Sequence, residues 1–546
     1  MRLVVAVFAV LALSVGPAFA GATWKITKTE WTAEDEEGFS SFVTALGESN
    51  CSTAEECFAS SANPFRDTDP RGLRISGDCA DLPYLMRAYY AWKHGLPFSF
   101  AAAVSPRAGG GGDIRFNTSG NRIVARRDVR TGDNAQQIFD MIKNSVSSAT
   151  FRVAHTFDSG AGVTDFYSPK IDKGSIRPGT VIYDINGHVT IVYKIDPDGR
   201  IRYMDSHPDL TLTRSTFGAQ FMRDDPVLGS GFKTFRPVKL VGATRGGDGV
   251  YRGGRVVFAS NEQIADFSPE QYVGNAPDAD GNWRNGKFVN EGIEVGFVEY
   301  TRLKLSDGKL LYDPLYELRA SMRSICSDLR DRGMAVDAAI DARINIKDQP
   351  GRLPDNIYGT NSMEWEIYST PSRDARLKTR FKEVHDNMAH LLDLYQKRDP
   401  RVAFDGVHLK DKLIEAFEEE SAKCRIVYTN SNGQPVVLTY EMVMRRLFDL
   451  SFDPYHCIER RWGAKDEKEL ESCDDDGTKR RWYEAEQRLR NQIDRKYDQV
   501  MNFDLGDLRD EAPGSGVDSP PNVDVKSLIM NLGPRQKFEG MKPVGL

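Results

Sequence analysis

Apolar residues recur at three- and four-residue steps through the second half of the chain. In the stretch Arg373 to Lys397, Phe381, Val384, Met388, Leu391, Leu392 and Tyr395 fall on one face of a helix. Equivalent patterns run through Leu315 to Leu329, Leu409 to Phe417, Met442 to Leu450 and Trp482 to Met501. One hairpin interrupts them, with Ile426-Val427-Tyr428 and Val436-Val437-Leu438 flanking the turn dipeptide Asn432-Gly433. The first half reads differently, as short β-branched and aromatic runs punctuated by glycine. Between about 246 and 310 the pattern predicts loops and short strands such as Arg255-Val256-Val257-Phe258, a linker or small β subdomain. From 504, Pro513, Pro520, Pro521, Pro534 and Pro543 among Gly, Asp and Ser predict a flexible tail. The expected divisions are therefore 1–20, 21–245, 246–310, 311–503 and 504–546, with α+β content first and a mainly helical domain after it.

Residues 1–20 carry Arg2, an apolar run from Leu3 to Leu13 and the ending Ala18-Phe19-Ala20, the pattern of a cleaved secretory signal peptide. No later stretch has the apolar length of a membrane helix, so the expectation is a periplasmic or secreted protein without an integral membrane segment. Across 546 residues the net charge is −7, which argues against a role tracking nucleic-acid phosphates. Export makes the seven cysteines a disulfide question. Cys51 and Cys57 lie close in a polar loop, Cys457 and Cys473 flank a charged loop, and Cys326 and Cys424 sit on separate helical segments. Pairing these six leaves Cys79 alone.

Cys79 belongs to the segment Gly77-Asp78-Cys79-Ala80-Asp81-Leu82-Pro83, which opens a helix whose apolar face holds Leu82, Leu85, Met86 and Tyr89 and which stops at Gly95-Leu96-Pro97. A thiol at a helix N-terminus meets unsatisfied N–H groups and the positive end of the dipole, and both favour the nucleophilic thiolate. A second segment supplies a base. Two β-branched runs meet at Asn186-Gly187, His188 opens the second, and a third run ends at Asp205-Ser206-His207-Pro208-Asp209. A meander of this kind sets the start of the His188 strand beside the end of the Asp205 strand, so Asp205 is placed to accept from the His188 ring. His207 and Asp209 are alternatives in either role.

The Gly-Asp-Cys-x-Asp helix ending in Gly-Leu-Pro resembles the core of transglutaminase-like proteins. The Pro178-Gly179-Thr180 to Tyr193 segment, with Gly187-His188-Val189 at its centre, is similar to bacterial cell-wall cysteine endopeptidases of the papain-like group. The resemblance covers about residues 60 to 215. It implies a papain-like or transglutaminase-like domain with Cys79 as nucleophile, His188 as general base and Asp205 as the group that orients the base. The function it implies is an exported thiol hydrolase acting on amide bonds of a peptide, a protein or peptidoglycan. Acyl transfer of the transglutaminase type and a non-catalytic secreted scaffold on the same fold are the alternatives. Two departures stand out. The 109-residue gap from Cys79 to His188 holds Gly109 to Gly112 and a predicted helix from Asn134 to Asn144, room for a lid, and no glutamine precedes Cys79 to complete an oxyanion hole.

No cofactor is expected. His207, Asp205, Asp209 and Cys79 include metal-ligand types, but neither Cys-x-x-Cys nor His-Glu-x-x-His spacing occurs, so no metal is expected either. The helical half carries no catalytic signature and is read as an element that binds a protein partner or positions the substrate.

Overall fold

The computed structural model describes residues 22–109, 112–156, 162–360, 362–404, 406, 408–493 and 500–533. The proposed signal peptide lies outside the described residues, as do Gly110 and Gly111 of the glycine run.

The first half begins with α1 (Ala33–Glu48), whose Thr32 and Asp35 cap each other reciprocally, and with α2 (Asp81–His94), the helix that follows Cys79. A hairpin of β1 (Ser99–Pro106) and β2 (Asn121–Asp128) leads to α3 (Ala135–Ser145), capped by Asn134. The central sheet comprises β3 (Phe166–Tyr167), β4 (Val181–Asp184), β5 (His188–Ile195), β6 (Ile201–Ser206), β7 (Leu212–Thr216) and β8 (Gly231–Phe235) in the order β3-β8-β4-β5-β6-β7, with every pair antiparallel.

Nearly every side chain of α2 is buried, which explains why its sequence is apolar on more than one face. It packs against Val181, Tyr183, Val189, Ile191 and Met204 of the sheet on one side and shares its core with α1 and Trp24 on the other. The opposite face of the sheet, through Ile182, Val192, Ile201, Tyr203 and Phe232, is covered by Phe217, Phe221, Phe288, Tyr300 and Leu305.

The segment 246–310 is therefore no free linker, since much of it seals the sheet. The boundary expected at 245 also falls inside a hairpin. β9 (Val238–Arg245) pairs along its length with β10 (Tyr251–Phe258), and Tyr251 and Leu240 donate backbone hydrogen bonds to Ile26 and Thr29 at 2.7 Å each.

The C-terminal half is helical. Its core joins α4 (Pro314–Asp341), α5 (Pro371–Gln396) and α6 (Leu409–Lys423) through Leu318, Met322, Ile325, Phe381, Val384, Leu413 and Phe417. The expected hairpin forms as β11 (Arg425–Thr429) and β12 (Pro435–Thr439). The tail is a correction, because through residue 533 it is not loose. Val525 and Ile529 of α7 (Val525–Met530) are completely buried in the same helical core, and burial of these few apolar residues holds a segment whose prolines alone suggested flexibility.

The three expected cysteine pairs lie at disulfide distance, with Cα separations of 5.1 Å for Cys51–Cys57, 5.7 Å for Cys326–Cys424 and 5.6 Å for Cys457–Cys473, and Cys79 is free. No helix among the described residues is long and apolar enough to cross a membrane.

The two halves meet at β7, the edge of the sheet. Arg380 of α5 donates to Ser215 Oγ at 2.6 Å and to the Thr216 carbonyl at 2.9 Å, while Ser215 donates to Asp328 of α4 at 2.7 Å. The exposed backbone edge that a terminal strand would present is thus occupied by side chains of the helical half. That docking sets α5 beside the ends of β5 and β6, where the candidate chemistry lies.

Candidate active site

The loop before α2 is fixed by its two aspartates. Asp78 Oδ1 accepts from the N–H groups of Ala80 at 2.9 Å and Asp81 at 3.3 Å, and Asp81 Oδ2 accepts from Asp78 N–H at 3.1 Å. Gly77 is required by space, since a Cβ there would stand 2.5 Å from Cβ of Asp81. Ser206 at the end of β6 donates to the Gly77 carbonyl at 2.7 Å and moors this loop to the sheet. Cys79 emerges just before the helix starts, with its sulfur beside the backbone N–H of Val189, the residue after His188.

His188 and Asp205 come together as the meander predicts. Ile191 pairs with Met204 across β5 and β6, so His188 and Asp205 are near-diagonal neighbours on one face of the sheet. Gly187, at φ +84°, makes the tight return into β5, and a Cβ there would strike the Phe116 ring. His188 Nε2 is hydrogen-bonded to Asp205 Oδ2.

Asp205 is directly opposite Thr213 on β7, and the Thr213 hydroxyl donates to Asp205 Oδ1 while accepting from His207 Nε2 at 2.9 Å. The rings of His188 and His207 stack with centroids 5.5 Å apart.

Electrostatics sets the protonation states. Burial alone would raise the Asp205 carboxyl, but the imidazoles of His207 and His188, with the His188 hydrogen bond, hold it far below the usual carboxylate range. An ionised Asp205 only accepts, so the His188 Nε2–H donates to it and Nδ1 is the ring nitrogen that Asp205 does not bind. His207 is pushed well below its ordinary value by burial and then by the Arg373 charge, against the pull of Asp205.

The thiol departs from expectation. Burial pushes Cys79 well above its ordinary value, the carboxylates of Asp78, Asp205 and Asp81 add to the effect, and the Val189 N–H opposes them. The helix dipole does not prevail, because the sulfur lies outside the first helical residue, is shielded from water and faces three carboxylates. The balance favours the thiol over the thiolate at Cys79.

Cys79 and His188 line one cavity of about 130 Å³. Its wall includes Phe116 from the insert between them, stacked on Tyr358 of the helical half at 5.4 Å, and Arg115, which donates to Glu366 at 2.9 Å. Arg373 and Arg376 of α5 complete the roof. The insert thus reaches the cavity with its Arg115-Phe116 segment, while α3 packs beside α2.

Sequence reasoning missed Tyr358, Arg373, Arg376 and Thr213. The arginine spacing Arg373, Arg376, Arg380 marks a cationic stripe on a helix otherwise read only for its apolar face, and that stripe was the available signal.

Asp209 takes neither alternative role. It is bound by Arg373 Nη2 at 3.1 Å and by the Thr211 hydroxyl at 2.6 Å. His188, Asp205 and His207 offer ligand atoms within 4.8 Å of one another, a spacing a metal ion tolerates. Those atoms are instead satisfied by each other and by Thr213, which makes the group a hydrogen-bonded relay. Neither a scan against family models nor searches of curated proteins and of solved structures matched this chain.

Proposed function

We propose that the first half is a papain-like or transglutaminase-like thiol enzyme that cleaves amide bonds of a peptide or cell-wall peptide outside the cytoplasm. One observation carries the reading. The Cys79 sulfur lies beside the N–H next to His188, the two residues line one cavity, and Nε2 of that imidazole is bound by the Asp205 carboxylate. In this scheme His188 Nδ1 takes the thiol proton as the sulfur attacks the carbonyl carbon, so no standing thiolate is needed. The same proton passes to the leaving amine as the C–N bond breaks, and water then resolves the thioester. Asp205 keeps the productive tautomer and stabilises the imidazolium between the two steps. Three disulfides suit an oxidising compartment.

The raised thiol favours a second reading, a secreted scaffold on the same fold. Incubation with peptidoglycan, and separately with casein plus an amine donor, distinguishes the readings. Release of new amino groups, or amine incorporation, should be lost in Cys79→Ala and in His188→Ala. Absence of turnover on both substrates, together with iodoacetamide labelling of Cys79 at one rate with and without His188, refutes catalysis.

A further inference from the structure

The mechanism above employs Cys79, His188 and Asp205 and leaves the cations of the same cavity without a role. Arg373 and Arg376 lie in the first two turns of α5, and both line the space that holds the thiol. Asp331 faces Arg373 with no hydrogen-bond partner among the described residues, and the other carboxylates around the two arginines are engaged elsewhere. Glu366 accepts from Arg115, Asp209 accepts from Arg373 Nη2, and Asp78 accepts from the N–H groups of Ala80 and Asp81. Both oxygens of Asp205 are taken by His188 and Thr213, and Asp184 accepts from the Asn186 N–H. Arg376 has no hydrogen-bond or ion-pair partner among the described residues, and Arg373 Nη1 is buried with none. Arg376 is half-buried and is balanced by Asp184 and Asp205 only at a distance, and a carboxylate is the group its planar fork fits.

We infer that Arg376, assisted by Arg373, forms a carboxylate-binding subsite beside Cys79, so that the amide substrate carries a free carboxylate close to the bond that is cut. The helical half would then select an acidic peptide for the thiol of the first half. This rests on the thiol reading above.

Two alkylating reagents of nearly equal size test it, iodoacetate with a carboxylate and iodoacetamide with a neutral amide. In each, the Cys79 sulfur displaces iodide from the CH₂ carbon and the thiol proton passes to His188. The expected result is an iodoacetate-to-iodoacetamide rate ratio at Cys79 at least about tenfold above that of an unstructured cysteine peptide. Arg376→Gln should return the ratio to the peptide value, and Arg376→Lys should keep part of it. Glutarate should slow iodoacetate selectively in the unaltered chain, a measurement that holds even if the glutamine variant does not fold. A peptide-like ratio in the unaltered chain, with labelling still dependent on His188, overturns the subsite and leaves the thiol reading standing. Labelling indifferent to His188→Ala removes the thiol reading and the subsite with it.

Discussion

Asp81 is the residue whose replacement most directly tests how the nucleophile loop is held. It is 3% exposed, its Oδ2 accepts from Asp78 N–H, and its Oδ1 has no hydrogen-bond partner among the described residues. Burial, and after it the neighbouring Asp78 carboxylate, push it from the ordinary 3.8 up to about 8. Such a displacement disfavours the ionised form in the folded chain by on the order of 5 kcal/mol. The folded value is raised, so the stability that protonated Asp81 contributes is fully present below pH 3.8 and is lost as pH rises through about 8. Asp81→Asn keeps an acceptor for Asp78 N–H but does not titrate. Its buried amide N–H groups lack a partner at a roughly constant cost of about 1–3 kcal/mol. The variant should therefore be less stable than the natural chain near pH 4 and more stable above pH 8, with the curves crossing between about pH 4.5 and 6. Urea unfolding at a series of pH values with disulfides intact, followed by tryptophan fluorescence, measures the difference directly. Two parallel curves, separated by the same free energy from pH 4 to pH 9, would mean that Asp81 ionises as it does in water and that the burial argument is wrong.

Two further changes probe the site and its frame. Thr213→Val removes the hydroxyl that donates to Asp205 Oδ1 and leaves a buried carboxylate oxygen unpaired, so kcat for the proposed hydrolysis should fall roughly tenfold with little change in KM; a change confined to KM would show that Thr213 does not position the relay. Replacing both Cys326 and Cys424 by alanine opens a link across 98 residues and should lower the stability of the helical half by roughly 4 kcal/mol, against about 2 kcal/mol for the Cys51–Cys57 pair, whose separation is 6. Equal urea midpoints for the two double variants would contradict that ordering.

The His188–Asp205 pairing was legible because both residues lie on strands joined by a short turn, where period-two alternation and a hairpin register fix which side chains are neighbours. The helical segments from Pro314 and Pro371 were legible for the same local reason, a period near 3.6. The roof of the cavity was not. Arg373 and Arg376 read locally as a solvated face of α5, and only docking against β7 through Arg380 and Ser215 turns that face inward. The acidity of Cys79 was misjudged on similar grounds. Helix position is visible in sequence, whereas dehydration by a distant element and the convergence of Asp78, Asp81 and Asp205 are not. The packed tail through Ile529 depended on two apolar residues in a proline-rich context, too few to register as a pattern.

The roof over Cys79 is made by residues that follow it far along the chain. A polypeptide that acquires structure from its N-terminus passes through a stage in which α2 and the sheet are formed while α5 has yet to arrive. During that interval the lone sulfhydryl is uncovered, more acidic for want of shielding, and Cys326 still awaits Cys424, which follows α5 in the chain. Arrival of the helical half then does for biogenesis what a protecting group does in synthesis, withdrawing the one sulfur that must stay reduced from thiol–disulfide exchange.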